Sequence, residues 1–253
     1  MSQHVVSDTV ALTGRSLRHI ARSPDTIITT TVMPIAFMLM FVYVFGGAID
    51  TGTDSYVTYL LPGILLITIA SSIAYTAFRL FMDMTSGIVE RFQSMPIARS
   101  AVLWAHVLTS LVATLISVVV VVLVALVMGF RSSAGVLAWL AVVGILVLFT
   151  LALTWFAVIA GLSAKTVDGA SAFSYPLIFL PFVSSAFVLT ATMPGPVRAF
   201  AENQPVTPIV DAIRDLYSQQ PVSSDIWVAL AWCVGLLVVA YALAMTTYRR
   251  KLA

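Results

Sequence analysis

VLWAHVLTSLVATLISVVVVVLVALVMGF (residues 102–130) and, after the insert RSSAG, VLAWLAVVGILVLFTLALTWFAVI (residues 136–159) decide the fold. Each apolar run exceeds the roughly 20 residues a helix needs to cross a hydrocarbon core about 30 Å thick. The β-branched block 118–122 would favour a strand in water. Lipid, however, offers the backbone no hydrogen-bond partners, so only helices or a closed barrel can span it. A barrel would alternate polar and apolar residues, and neither run does so. The pair reads as two membrane-crossing helices joined by a turn.

The same reading extends along the chain. Of 253 residues, 60% are hydrophobic and 9% charged, against roughly 25% charged in an ordinary soluble domain. Apolar runs between charges and turn formers give six expected spans, at 27–45, 59–80, 102–130, 136–159, 172–189 and 226–247. They use nearly the whole chain and leave no room for a separate soluble domain, so residues 1–253 are expected to form one transmembrane unit. The first segment holds Asp8, Arg15, Arg18 and Arg22 without an uninterrupted apolar core, and is not expected to be a cleavable signal peptide. The single cysteine, Cys233, falls in a span and has no intramolecular partner.

Basic residues set the expected orientation. With the N-terminus in the cytoplasm, Arg15, Arg18, Arg22, Arg79, Arg91, Arg99, Lys165, Arg249, Arg250 and Lys251 lie inside. Arg131, Arg198 and Arg214 lie outside, which accounts for all 13 basic residues. This satisfies the positive-inside rule and puts both termini in the cytoplasm.

Three segments are more than connections. Residues 1–25 place Val6, Val10, Leu17 and Ala21 near one helical face with arginines elsewhere, as an interfacial helix does. Residues 83–99 space Met84, Ile88, Phe92 and Met95 at helical steps, with Glu90, Arg91 and Gln93 on the polar side and Pro96 as the stop. That amphipathic helix either lies on headgroups or docks a partner. Residues 190–225 carry Pro194, Pro196, Pro205, Pro208 and Pro221, with short helical stretches at 197–202 and 209–217, and read as an external re-entrant helical hairpin before the last span. Its charged residues, Arg198 with Glu202 and Asp211 with Arg214 and Asp215, sit at ion-pair spacing, which is most often surface decoration.

The chemistry that is missing narrows the function. There is no G-x-x-x-x-G-K-[ST], and neither lysine, Lys165 or Lys251, follows a glycine, so the chain is not expected to hydrolyse ATP itself. No H-E-x-x-H or C-x-x-C occurs, and of the histidines only His106 approaches a span, so no metal site is expected. The spans hold essentially no charge at their centres, which disfavours an ion-coupled carrier. They do hold hydroxyls and aromatics: Ser71, Ser72, Tyr75 and Thr76 in the second, and Ser174, Tyr175, Phe179, Phe182, Ser184 and Ser185 in the fifth. Such residues either pack helices together or line a path for an amphiphilic molecule. Pro176 and Pro181 predict irregularity in the fifth span.

Three stretches in order carry a family resemblance. RSLRHIARSPDTII (15–28), followed by Pro34 and FGG (45–47), resembles the approach to and first span of type-2 ABC exporter permeases, the daunorubicin-resistance permease family. YLLPGIL (59–65), followed by SGIVERFQSMPIARS (86–100), is similar to that family's second span and coupling segment. NQPVTPIVDAIR (203–214) resembles its signature before the last span, except that the family pattern has Asn directly before Pro and here Gln204 intervenes. Asn203 is therefore assigned no fixed role.

The resemblance implies a six-span, all-α transmembrane subunit of an exporter in the bacterial inner membrane, moving an amphiphilic drug, antibiotic or lipid. A lipid-linked or surface polysaccharide is the alternative cargo, and an ion-coupled secondary transporter is the alternative class. It further implies a coupling helix carrying Gly87, Glu90, Arg91, Phe92 and Pro96, docked on a cytoplasmic ATPase present in two copies. That ATPase, rather than this chain, would bind ATP and Mg. Arg15, Arg18 and Arg22 would brace the ATPase, and a second permease copy or paralogue would complete the conduit. Ser72, Tyr75, Thr76, Tyr175, Phe179 and Phe182 are the conduit candidates, and Pro205, Pro208, Asp211 and Arg214 mark the external hairpin that would cap its exit. No catalytic residue, metal ligand or nucleic-acid contact is expected.

Overall fold

The computed structural model describes residues 13–14, 25–46, 55–86, 99–218 and 224–252. The expected interfacial helix with Arg15, Arg18 and Arg22 lies outside them. So do Gly87, Glu90, Arg91, Phe92 and Pro96 of the expected coupling segment. Its first residues, from Asp83, prove to be the end of the second long helix, which continues to Thr85.

All regular structure among the described residues is helical. Helix α1 (Asp25–Met40) passes into a π turn (Phe41–Phe45). Helices α2 (Tyr56–Thr85), α3 (Arg99–Val127) and α4 (Val136–Ser163) follow. A broken segment comes next, made of α5 (Val167–Ala172), α6 (Ser174–Phe179) and a 3₁₀ turn (Leu180–Val183). After a further 3₁₀ turn (Thr190–Thr192) come α7 (Gly195–Asn203), α8 (Val206–Tyr217) and the long α9 (Asp225–Leu252). Five of these elements, α1 with its π turn, α2, α3, α4 and α9, are long and apolar enough to cross a bilayer.

The fifth expected span, 172–189, is not one continuous helix. Pro176 occupies the first turn of α6 and Pro181 the start of the 3₁₀ turn, and each removes a backbone donor and fixes φ. Val183 is the last helical residue, after which the backbone at Ser184 is extended. The prolines announced the irregularity. What they interrupt is a chain of short turns and not a single kink.

Helix α2 is the central element. Of its apolar window 83% is buried, against 22% for α1 and for α9, and it packs against α1, α3, α4, α5, α6 and α8. Small residues permit the close approaches, as helix packing in lipid requires. A Cβ on Gly161 of α4 would lie 2.8 Å from the Ala77 carbonyl oxygen, and one on Gly63 of α2 would lie 2.6 Å from the Ala186 Cβ. Helix α9 packs along α4.

Aromatic clusters mark the two ends of α4. Trp139 packs with Phe130 and Tyr217, and Trp155 with Trp104 and Tyr241. Sixteen residues at 1.5 Å each put the two tryptophans about 24 Å apart along the axis, a separation of the order of a hydrocarbon core.

Candidate functional site

Polar groups gather in two places. The first is a cleft between α1, α2 and α3. On α3, His106, Thr109, Ser110, Ala113, Thr114 and Ser117 recur at three- and four-residue steps and so share one face. Ser72, Tyr75, Thr76 and Arg79 of α2 and Thr30 of α1 complete the lining. The empty space, its open side included, comes to about 430 Å³. Hydroxyl pairs cross it: Thr30 with Ser117 at 3.0 Å, and Thr76 with Ser110. Ser72 donates back to the Thr68 carbonyl at 2.9 Å, and Thr76 to that of Ser72.

At one end of the cleft His106 Nε2 lies 3.2 Å from an Asp83 carboxylate oxygen. Arg79 lies with its guanidinium 5.9 Å from the Tyr75 ring centre. The sequence-predicted Ser72, Tyr75 and Thr76 are thus brought together, with partners from two other helices that sequence reasoning did not name.

The remaining conduit candidates do not line this cleft. Phe182 stacks on Phe187 with ring centres 4.8 Å apart and meets Phe37 edge-on at 5.4 Å. It joins the broken segment to α1 in an aromatic cluster that also takes in Phe41. Phe179 touches the edge of that cluster. Phe179 and Tyr175 are mostly exposed, at 62% and 61%. The six candidates therefore fall into a hydroxyl set and an aromatic set.

The second polar assembly holds the broken segment in place. Where the last turn gives way to extended chain in apolar surroundings its carbonyls need donors, and those of Val183, Ser185 and Phe187 receive side chains from other parts of the chain. The Tyr59 hydroxyl donates to the Ser185 carbonyl at 3.0 Å, and the Tyr56 hydroxyl to that of Phe187 at 3.3 Å. The Gln204 side-chain amide donates to the Val183 carbonyl at 3.3 Å, while its own oxygen accepts from the Val206 N–H at 3.1 Å and so caps α8.

Arg214 ties three elements together. It donates to the Ser185 carbonyl at 2.9 Å, to the Tyr59 carbonyl at 3.2 Å and to Asp211 Oδ1 at 2.7 Å. Its guanidinium also sits 3.9 Å from the centre of the Tyr59 ring, within cation–π range. Asp211 Oδ1 in turn accepts from the Ser185 hydroxyl at 2.8 Å. Burial pushes the Asp211 carboxyl above the usual carboxylate range, and Arg214 and the Ser185 hydroxyl pull the other way.

The expectation that the charged residues of the hairpin are surface decoration thus holds for one pair only. Arg198 and Glu202 bridge at 2.7 Å with half or nearly half of each side chain exposed. The Arg214 side chain is 17% exposed and acts as a structural clasp. Pro205 immediately precedes α8, and Pro208 is buried in its first turn. Asn203, on the surface, donates back to the Ala199 carbonyl at 2.8 Å. The residue inserted into the family pattern, Gln204, does the capping. A stripe at 204, 207, 211 and 214 on one helical face was the available signal.

Long apolar helices packed around a buried central one define a multi-pass membrane protein. The chain belongs to the ABC-2 type transporter family, which it matches over residues 7–217, and it is a type-2 ABC permease. It is similar to the daunorubicin resistance ABC transporter permease protein DrrB1 of Streptomyces coeruleorubidus, at 29% identity over 97% of this chain and 87% of the relative. It is also 28% identical, over 97% of this chain and 89% of the relative, to the protein of Mycobacterium tuberculosis named "Probable doxorubicin resistance ABC transporter permease protein DrrC".

Proposed function

We propose that this chain is the transmembrane subunit of an ATP-driven exporter that moves an amphiphilic small molecule, of the drug or antibiotic kind, or a lipid out of the cytoplasm or the inner leaflet. The observation that carries the reading is near full-length similarity to two permeases whose names specify daunorubicin resistance and probable doxorubicin resistance. The absence of any phosphate-binding loop in the sequence supports it, because the energy must then come from another polypeptide. On this reading a cytoplasmic ATPase, two copies per transporter, binds ATP and Mg, and this chain contributes no cofactor site. A second permease, identical or paralogous, completes the conduit in the bacterial inner membrane, with both termini cytoplasmic.

Coupling runs through the segment holding Gly87, Glu90, Arg91, Phe92 and Pro96, a short apolar stripe with a charged side, which suits transmission of a rigid-body push between docked domains. The basic N-terminal residues Arg15, Arg18 and Arg22 brace the same partner. The hairpin holding Pro205, Pro208, Asp211 and Arg214 caps the outer end of the path. The test is to extract the chain from its native membrane in mild detergent and examine what comes with it. A stoichiometric ATPase, lost or uncoupled in Glu90→Ala and Arg91→Ala, is expected. The chain alone, under conditions that keep other such complexes intact, would overturn the reading.

A further inference from the structure

The cleft between α1, α2 and α3 contains groups that its own hydrogen bonding leaves over. Hydroxyls on membrane helices ordinarily bond back to the carbonyl four residues earlier, as Thr68, Ser72 and Thr154 do here. The hydroxyls of Thr109 and Thr114, 4% and 1% exposed, have no partner among the described residues, and both line the cleft. Each such orphan destabilises the fold unless a hydrogen-bond partner arrives. Arg79 lines the same cleft and makes no hydrogen bond or ion pair among the described residues, its recorded contact being the distant face of Tyr75. Asp83, one turn further on, is engaged by His106. A cation and two buried, unpartnered hydroxyls thus line one cleft.

Depth identifies the occupant. Helix α2 has 30 residues and is about 45 Å long, against a hydrocarbon core of about 30 Å. Arg79 lies six residues before its end, about 9 Å along the axis, and so stands at headgroup level on the side that the basic residues place in the cytoplasm. From there the hydroxyls of Thr76, Ser110, Thr114 and Ser117 lead inward. The neighbouring outward faces are apolar: Val32 and Met33 on α1 are 56% and 54% exposed, and Ile116 and Val119 on α3 are 40% and 56% exposed. We infer that the cleft binds an anionic lipid from the inner leaflet, with Arg79 as the charge anchor for its phosphate, Thr109 as a donor to a phosphate oxygen, Thr114, about 7.5 Å deeper along the helix, as a donor to an ester carbonyl, and the acyl chains along those apolar faces. Phosphate and ester oxygens supply partners for the two unpartnered hydroxyls, and charge-assisted bonds to Arg are the strong ones. The inference rests on the chain's residence in a membrane and not on export, so lipid binding and transport fail independently.

The test uses the full chain, with any partner that co-purifies, stripped of lipid in detergent and titrated with phosphatidylglycerol or phosphatidylcholine while bound lipid is counted by native mass spectrometry. Phosphatidylglycerol is expected to bind preferentially. Arg79→Gln should weaken it about tenfold, Arg79→Lys should retain most of it, and Thr109→Val with Thr114→Val, which preserves volume, should weaken it severalfold. Arg198→Gln, at an exposed ion pair, should leave it unchanged. Equal retention of the two lipids, or undiminished binding in both Arg79→Gln and the double valine variant, would overturn the assignment. Displacement by glycerol 3-phosphate as readily as by the lipid would overturn the lipid as occupant.

Discussion

Replacing Arg214 with leucine should unlock the broken segment. The guanidinium holds two carbonyls and one carboxylate and covers the Tyr59 ring. Without it, Asp211 keeps only the Ser185 hydroxyl among the contacts described. Breaking a fully buried pair costs about 3–5 kcal/mol, and breaking an exposed one under about 1 kcal/mol. Here the Arg214 and Asp211 side chains remain 17% and 30% exposed, so a value near 3 kcal/mol is expected by interpolation between those limits. At roughly 2–4 °C per kcal/mol for a chain of this size, the apparent melting point should fall by about 6–12 °C, read by fluorescence-detected size exclusion at a fixed heating schedule. Asp211→Asn keeps an oxygen for both Ser185 and Arg214 and should cost about 1 kcal/mol. In the Arg214→Leu background the same change removes an unpaired carboxylate and should be neutral or stabilising, which is the coupling a double-mutant cycle detects. An Arg214→Leu variant melting within about 2 °C of the parent, or an Asp211→Asn effect equal in both backgrounds, would refute the clasp.

Other outcomes follow from packing. Gly161→Val should lower the melting point by the equivalent of about 1–3 kcal/mol by forcing α4 from α2, whereas Gly144→Ala, whose added Cβ meets nothing within 4 Å, should leave it unchanged. Tyr217→Phe should be neutral or slightly stabilising, since its buried hydroxyl has no partner among the described residues, while Tyr217→Ala should cost about 3–5 kcal/mol by emptying the space between Phe130 and Trp139. Melting curves of the two variants separate ring from hydroxyl. Cys233, fully buried, should resist a maleimide in the folded protein and react after denaturation, as a mass shift would show.

The long spans were legible because lipid turns hydropathy into an almost sufficient instruction: residues 102–130 and 136–159 correspond to α3 and α4 within a few residues. The prolines at 176 and 181 showed where the fifth span fails, but not that Tyr56, Tyr59, Gln204 and Arg214 would converge on the carbonyls freed there. The two tyrosines lie more than a hundred residues from the carbonyls they bind, and Gln204 and Arg214 more than twenty, so all four meet them only in tertiary structure. Spacing alone gave Arg214 and Arg198 the same reading, since i,i+3 and i,i+4 pairs look alike before burial is known. Within the second span, Ser72 and Thr76 were visible as a polar face. The opposing Ser110 and Ser117 were hidden in the third, whose hydroxyls were outweighed by valine and leucine, and His106 was visible only as a histidine near a span.

The most direct test of export is reconstitution. The chain and its co-purified ATPase would be placed in liposomes, and an amphiphilic fluorescent compound followed across the membrane with ATP added on the side of the ATPase. ATP-dependent accumulation on the opposite side, stopped by vanadate and insensitive to an uncoupler, is the predicted result. Movement that ignores ATP and collapses with the proton gradient would contradict the account.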